Sequence, residues 1–323
     1  MIVIGRDAVA RHLPCDTCIA LMREAMTALS RGETRQLPRG IVDLAGGRMF
    51  GTMPGALAAD GVFGAKLISV FPDNFAAGRP SHQGVVALFD PNSGAPLAVL
   101  DANELTAIRT AAASAAASDV LARADARTLA ILGYGEQAWR HVEAIRTVRP
   151  IASVTVWGRD TAKARAFAAR VEAELGLAAE YAPSVAEAVA VADIVCAVTA
   201  ASEPILHGAE VRPGTHVNLV GSGRDGPTEA DVVLVAKARF FADHRDSVER
   251  QGAELRRAIA AGAVGGDHLL GEIGDVMDGR LAGRVGEEDV TIYKSLGHVV
   301  QDLASAWHVY RAALAAGTEP VDF

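Results

Sequence analysis

The sequence carries no surplus of basic residues: 31 Lys and Arg stand against 39 Asp and Glu, a formal net charge of −8. No stretch resembles a basic face able to neutralise phosphates, so nucleic acid is not expected as a partner. An acidic chain can still take an anionic small molecule where its few cations converge. Cysteine is also scarce, three in 323 residues. That sets aside a disulfide framework and fits a reducing cytoplasm. Cys15 and Cys18 have the spacing of a redox or zinc pair, but no second Cys or His pair stands at ligand spacing, and no metal is expected. Long apolar runs are missing too. The longest uncharged helical stretch, residues 110–118, is far short of the roughly 20 residues that cross a bilayer. Residues 1–7 show no signal-peptide pattern. The expectation is a cytoplasmic protein without membrane contact.

What is present suits two domains. Half of the residues are hydrophobic and 22% are charged, enough to bury a large core. Cys15–Ser30 reads as an amphipathic helix, with Ile19, Met22, Met26 and Leu29 at helical spacing. Between residues 47 and 101, β-rich runs (61–71, 84–89, 97–100) are separated by turn chemistry such as Asp90-Pro91-Asn92-Ser93-Gly94. That predicts a mostly antiparallel sheet. A helix rich in Ala and Ser follows over residues 103–123. Strands at 128–132, 154–157, 193–197 and 215–220 then alternate with helices at 137–148, 161–175 and 187–191, and a last helical stretch covers 295–316. Alternation of that kind means a parallel sheet with crossover helices. The expected class is α/β: a Rossmann doubly wound parallel sheet domain plus an α+β domain.

One turn carries chemistry. Gly133-Tyr134-Gly135-Glu136-Gln137-Ala138 directly follows a strand and opens a helix. The first Gly permits a tight turn, the second lets backbone approach a pyrophosphate, and the small third residue packs helix on strand. The second strand runs into Gly158-Arg159-Asp160. An acid there favours NAD, whereas an Arg favours the 2′-phosphate of NADP. Gly158 leaves room, Arg159 can fork onto a phosphate, and Lys163 adds charge one turn on. Asp160 reads better as a helix N-cap than as a ribose contact. NADP(H) is favoured, with NAD(H) the alternative.

Two cations lack a local partner. As part of a strand, Lys66 shares a face with Val62, Ile68 and Val70, where an ammonium is costly unless paired; the alternative is an edge lysine snorkelling to water. Arg109 has Leu105, Thr106, Ala112 and Ala113 at helical spacing, so it must reach solvent, a distant acid or a ligand anion. Arg39 by itself reads as a surface arginine, and His82 as a structural histidine. Residues 243–246, Asp-His-Arg-Asp, read as a solvated turn. Glu254 and Glu272 do not stand out from surface charge.

Taken together, these residues resemble the ornithine cyclodeaminase/mu-crystallin family of NAD(P)-dependent enzymes over nearly the whole chain. The most specific stretches are Gly-Ala-Lys-Leu-Ile-Ser-Val-Phe-Pro-Asp-Asn at 64–74, Leu-Thr-Ala-Ile-Arg-Thr-Ala-Ala-Ala at 105–113, and the glycine turn. Pro-Gly-Thr-His-Val-Asn-Leu-Val-Gly-Ser at 213–222 and Tyr-Lys-Ser-Leu-Gly at 293–297, with Asp302-Leu303, complete them. The resemblance implies a substrate-binding and dimerisation domain made of residues 1–119 with 297–323, a Rossmann domain over 120–296, and a homodimer. It implies that Arg39, Lys66 and Arg109 hold a substrate carboxylate, with Lys66 and Arg109 the catalytic pair. The cofactor would lie on Gly133, Tyr134, Gly135, Glu136, Gln137, Arg159, Lys163, Thr199, Val220, Ser222 and Ser295.

One departure matters. Where cyclodeaminases place an Asp, this chain has Gly223, followed by Arg224 and Asp225. That removes the group acting on a second amine and leaves hydride transfer to a C=N bond untouched. The expected activity is NAD(P)H-dependent reduction of a 2-imino acid, a ketimine or a cyclic imine such as pyrroline-2-carboxylate. Arg224 would hold a second acidic group on the substrate, and Lys66, beside two arginines, should have a lowered pKa. The alternatives are ornithine cyclisation to proline, an alanine-type dehydrogenase, or a protein that binds cofactor and ligand without catalysis.

Overall fold

The change of sequence pattern after the antiparallel strands is close to where the chain divides. A computed structural model, which describes all residues except 76, 77, 79, 224, 322 and 323 and the side chain of Phe75, separates into two units. One is Met1–Arg109 with His298–Phe323, the other Thr110–Gly297. The division falls inside the helix Ala102–Leu121, after Arg109 and not after residue 119.

The first unit is built on a seven-stranded sheet. Arg48–Ala56, Phe63–Val70, His82–Phe89 and Pro96–Asp101 pair antiparallel in chain order. Ile2–Ile4 joins Pro96–Asp101 in parallel, and Arg35–Gln36 and Gly40–Leu44 pair with Arg48–Ala56. The connection after His82–Phe89 shows why the strands turn where they do. Asp90 Oδ1 accepts from the backbone N–H groups of Asn92 and Ser93 at 2.9 and 2.8 Å, and Gly94 follows at φ +73°.

The helix Cys15–Ser30 buries Cys18, Ile19, Met22, Ala25, Met26 and Leu29, the stripe its sequence displays. Full burial of a Met or Leu side chain stabilises by about 1.5–3 kcal/mol each. The C-terminal helix Val299–Ala315 packs on that helix and on three strands of the sheet. Gly64 permits its approach: a Cβ there would stand 3.3 Å from Leu303 Cδ2 and 2.0 Å from the Ala87 carbonyl oxygen. The helix begins later than residue 295, because Thr291–Lys294 is a strand and His298 with Gln301 forms a capping box.

The second unit holds an eight-stranded sheet whose pairs are all parallel. Its order is Ala178–Tyr181, Ser153–Trp157, Thr128–Leu132, Ile194–Ala197, His216–Leu219, Thr291–Lys294, Arg239–Ala242, Leu269–Glu272. The central strands are buried on both faces, which explains their continuous apolar runs. Chain order reverses beside Thr128–Leu132, so the turn at Gly133–Ala138 stands at the switch point where doubly wound sheets take ligands. No helix among the described residues is long and apolar enough to cross a membrane.

Candidate functional site

In the first unit, Lys66 is 2% exposed and Arg109 4% exposed, so neither reaches water freely. Their counter-charge is Asp302 on the C-terminal helix. Lys66 Nζ donates to Asp302 Oδ1 at 3.1 Å and to Thr106 Oγ1 at 2.6 Å. Arg109 Nε donates to the same Oδ1 at 2.9 Å, and its Nη1 to Gln301 Oε1 at 2.8 Å. Lys66 is therefore not an edge lysine snorkelling to water, and the distant acid that Arg109 needed is found. Asp302 Oδ2 is buried without a hydrogen-bond partner among the described residues.

Two cations against one carboxylate leave a positive charge in a low-dielectric site. Burial lowers the Lys66 pKa to about 8; Arg109 and Arg39 push the same way and Asp302 opposes. The direction is the expected one, but the main cause is desolvation and only secondarily the arginines. Burial alone would raise the Asp302 carboxyl; Arg109 and Lys66 outweigh it and hold it below the usual range. Arg39 is half-buried and close enough for its charge to be felt at Lys66, so it is more than a remote surface arginine.

In the second unit, Gly133 has φ +124°, and a Cβ there would lie 3.0 Å from the Val198 carbonyl oxygen. Only glycine fits. Nothing stands within 4 Å of a Cβ built on Gly135, the N-cap of Glu136–Val148, and no side chain caps that helix. The N-terminal end of a helix of this kind suits a ligand anion. Gln137 adds a side-chain Oε1 that is buried without a partner among the described residues. The backbone and the open space at 135 fit a dinucleotide pyrophosphate.

The second strand ends differently from expectation. The room above Gly158 is filled by the Tyr134 ring, which a Cβ at 158 would meet at 2.3 Å. Asp160 is the N-cap, accepting from the Lys163 N–H at 3.0 Å. Arg159 and Lys163 are exposed beside it.

Two buried acids organise the remaining cofactor candidates. Glu229 accepts from the Thr199 N–H and hydroxyl, each at 2.7 Å, and from the Gly221 N–H at 2.7 Å, which fixes both chain segments around Val220. Glu254 is 1% exposed, contrary to its reading as surface charge. It accepts from the Ser222 hydroxyl and pairs with Lys294 Nζ at 3.0 Å. Lys294 also donates to the Ser222 carbonyl and hydroxyl oxygens at 2.7 and 2.6 Å. Ser295 Oγ is buried without a partner among the described residues. Asp243 is not part of a solvated turn. It is fully buried and accepts from the N–H groups of Leu296 and Gly297 at 2.7 and 2.6 Å, pinning the loop after Ser295.

Arg224 lies outside the described residues. Asp225, the nearest acid to the missing Asp position, is exposed and engaged by Arg256. Cys18 is buried beside Ser305, and burial pushes its thiol up to about 12, as suits a small core residue. No group of three or more His, Cys, Asp and Glu that could hold a metal ion occurs among the described residues.

The sequence by itself assigns no role in the site to Asp302, Thr106 and Gln301 in one unit or to Glu229, Glu254 and Lys294 in the other. A usable signal existed for the first group: Gln301-Asp302 interrupts an otherwise apolar and small helix face, the natural counterpart of a cation stranded on an apolar strand.

The pattern of the ornithine cyclodeaminase/mu-crystallin family matches residues 2–317. The chain is 36% identical over 312 residues to ketimine reductase mu-crystallin of Mus musculus, covering 95% of this chain and 96% of that protein. Among solved structures, Delta(1)-pyrroline-2-carboxylate reductase of Thermococcus litoralis, in complex with NADH and L-proline, superposes with a TM-score of 0.96. It is 28% identical, with 100% of both chains covered. An archaeal alanine dehydrogenase dimer with bound NAD gives a TM-score of 0.93 at 28% identity, covering 99% of this chain and 98% of that one.

Proposed function

The chain belongs to the ornithine cyclodeaminase/mu-crystallin family, and from that premise we propose that it reduces a 2-imino acid, a ketimine or a cyclic imine such as pyrroline-2-carboxylate, to the amino acid. The observation that carries the reading is the buried Lys66–Asp302–Arg109 cluster, which keeps one positive charge in excess. Such a site takes an anion, and the substrate class common to this chemistry carries a carboxylate. The ketimine reductase of Mus musculus and the Thermococcus litoralis reductase in complex with NADH and L-proline support the same class.

Arg39, Lys66 and Arg109 clamp the carboxylate in the first unit. In the second, Gly133, Tyr134, Gly135, Glu136 and Gln137 cradle the pyrophosphate, while Thr199, Val220, Ser222 and Ser295 place the nicotinamide end. The dinucleotide, when bound, supplies the hydride. The imine carbon gains that hydride and the nitrogen gains a proton, which an iminium already carries and which Lys66 or water gives to a neutral imine. A lysine whose pKa lies at about 8 is charged at neutrality yet able to give up its proton.

The cofactor reading is NADP(H): Arg159 and Lys163 stand at the end of the second strand, and the only local acid, Asp160, is spent on the helix cap. The homodimer reading rests on the first unit, where Ile41, Val42, Leu44 and Phe50 are exposed on neighbouring strands. The archaeal alanine dehydrogenase, a dimer, supports it. Ornithine cyclisation is disfavoured, because Gly223 offers no carboxylate and Asp225 is held by Arg256.

The test is a turnover screen with NADPH and NADH against cyclic imino acids, keto acids with amines, alanine and ornithine. Reduction of pyrroline-2-carboxylate with no proline formed from ornithine is the expected result. Proline and ammonia from ornithine would overturn it, and no turnover of any substrate would leave a binding protein.

A further inference from the structure

The carboxylate in the cation site is used in an unusual way. Lys66 Nζ and Arg109 Nε both converge on Asp302 Oδ1, at 3.1 and 2.9 Å, while Oδ2 is buried without a partner among the described residues. Asp302 itself is completely buried. A carboxylate placed only to tie a helix to a sheet would be expected to spend both oxygens, since an unsatisfied buried oxygen is costly. Sharing a single oxygen instead brings two like-charged groups side by side, which they would otherwise resist. Thr106 then fixes the direction of Lys66 and Gln301 that of Arg109.

We infer that Asp302 is a positioning residue of this site: through one shared oxygen it holds Lys66 and Arg109 side by side, set for a single anionic ligand. Its part in turnover rests on the imino-acid reductase reading; its effect on the two cations does not. The choice of lysine fits this role. Only four lysines occur among the 31 basic residues of the chain, namely Lys66, Lys163, Lys237 and Lys294. An arginine at 66 would stay protonated whatever its neighbours, whereas a lysine's charge must be secured by one of them.

The groups acting on Lys66 come from several elements. Asp302 on the C-terminal helix favours its charged form, and Arg109 on the long helix and Arg39 before Gly40–Leu44 disfavour it. His82, whose imidazole is lowered by partial burial and by Lys66, faces it from the neighbouring strand. Cys18, with its raised thiol pKa, lies near Asp302 from the helix Cys15–Ser30.

The experiment is the Nζ titration of Lys66 by NMR in the full chain labelled with ¹⁵N-lysine, where four signals are expected, assigned by Lys66→Met. Asp302→Asn keeps the shape and an Oδ1 acceptor for both contacts, and replaces the charge and the second oxygen with a neutral NH2 group. The Lys66 midpoint, near pH 8 in the native protein, should fall by about one pH unit or more, and Asp302→Glu should restore it. If the amide variant fails to fold, Asp302→Ser removes the same charge at smaller volume, and the midpoint should fall likewise. A midpoint that stays put in the variant that folds overturns the inference. The alkaline limb of kcat/KM for imino-acid reduction should move with the midpoint. If the Nζ titration shifts as stated but no imino acid is turned over, Asp302 keeps its role and the reductase reading falls.

Discussion

Each unit of this protein buries a lysine against a carboxylate, and the two arrangements differ in what they leave over. In the first, Lys66 and Arg109 share one oxygen of Asp302, so a positive charge and an unpartnered carboxylate oxygen remain. In the second, Lys294 is matched one to one by Glu254, whose Oε2 it meets at 3.0 Å, and it donates to two oxygens of Ser222. The same pair of residue types thus serves two ends. An unbalanced cluster suits an anion, and a balanced one suits a strut that holds a turn. Burial by itself does not distinguish them; the count of charges does.

The largest effect that would sharpen this contrast is on turnover. Lys66→Met should lower kcat/KM for a cyclic imino acid by roughly 10²–10⁴-fold while NADPH affinity, read by fluorescence titration, stays within about twofold. Comparable activity in the variant would remove Lys66 from the mechanism. Lys294→Met should instead show itself as lost stability, about 3–5 kcal/mol for a buried acid left without its cation. The double variant Lys294→Met with Glu254→Gln should recover part of that loss in a denaturant titration. If the single variant unfolds at the native midpoint, the strut interpretation is wrong.

The units should also respond to opposite ends of the pH scale. In the first, activity should decline as pH rises through about 8, where Lys66 gives up its proton. In the second, burial lowers His141 to about 4 and His216 to about 3, so both stay neutral in the folded protein. Their folded pKa lies below the ordinary imidazole value, so the unfolded chain binds the protons. Stability is complete above about pH 6.5 and falls as pH drops from there toward 4 and then 3. The upper bound is roughly 3–5 kcal/mol per histidine. Melting temperatures measured between pH 7 and pH 4 check this, and His141→Gln should flatten the decline. The smallest effect concerns the cofactor: Arg159→Ala should raise the KM for NADPH about tenfold, near 1.4 kcal/mol, and leave that for NADH nearly unchanged. Equal effects on both would remove the 2′-phosphate reading.

Much of the architecture was legible from residue order. Cys15–Ser30 and Thr161–Leu175 have the bounds that their spacing predicts. The antiparallel and parallel sheets follow from turn chemistry and from strand–helix alternation, and the glycine turn stands at the switch point. The strands Arg239–Ala242, Leu269–Glu272 and Thr291–Lys294 are not evident in the sequence. The family resemblance carried by residues 64–74, 105–113, 213–222 and 293–297 is borne out.

The site was half legible. Lys66 and Arg109 announced a missing partner because local spacing offers them none, and Gly133 announced a conformation that other residues avoid. These are properties of neighbouring positions, which a sequence displays directly. Asp302 for Lys66, Glu254 for Lys294, Asp243 for the loop after Ser295 and the Tyr134 ring over Gly158 could not be read that way. Each joins positions remote in the chain, and which distant acid or ring arrives is decided by how helices and strands pack. Local chemistry determined that a buried charge was owed a partner; only the tertiary structure decided which partner it received and whether any charge was left for a ligand.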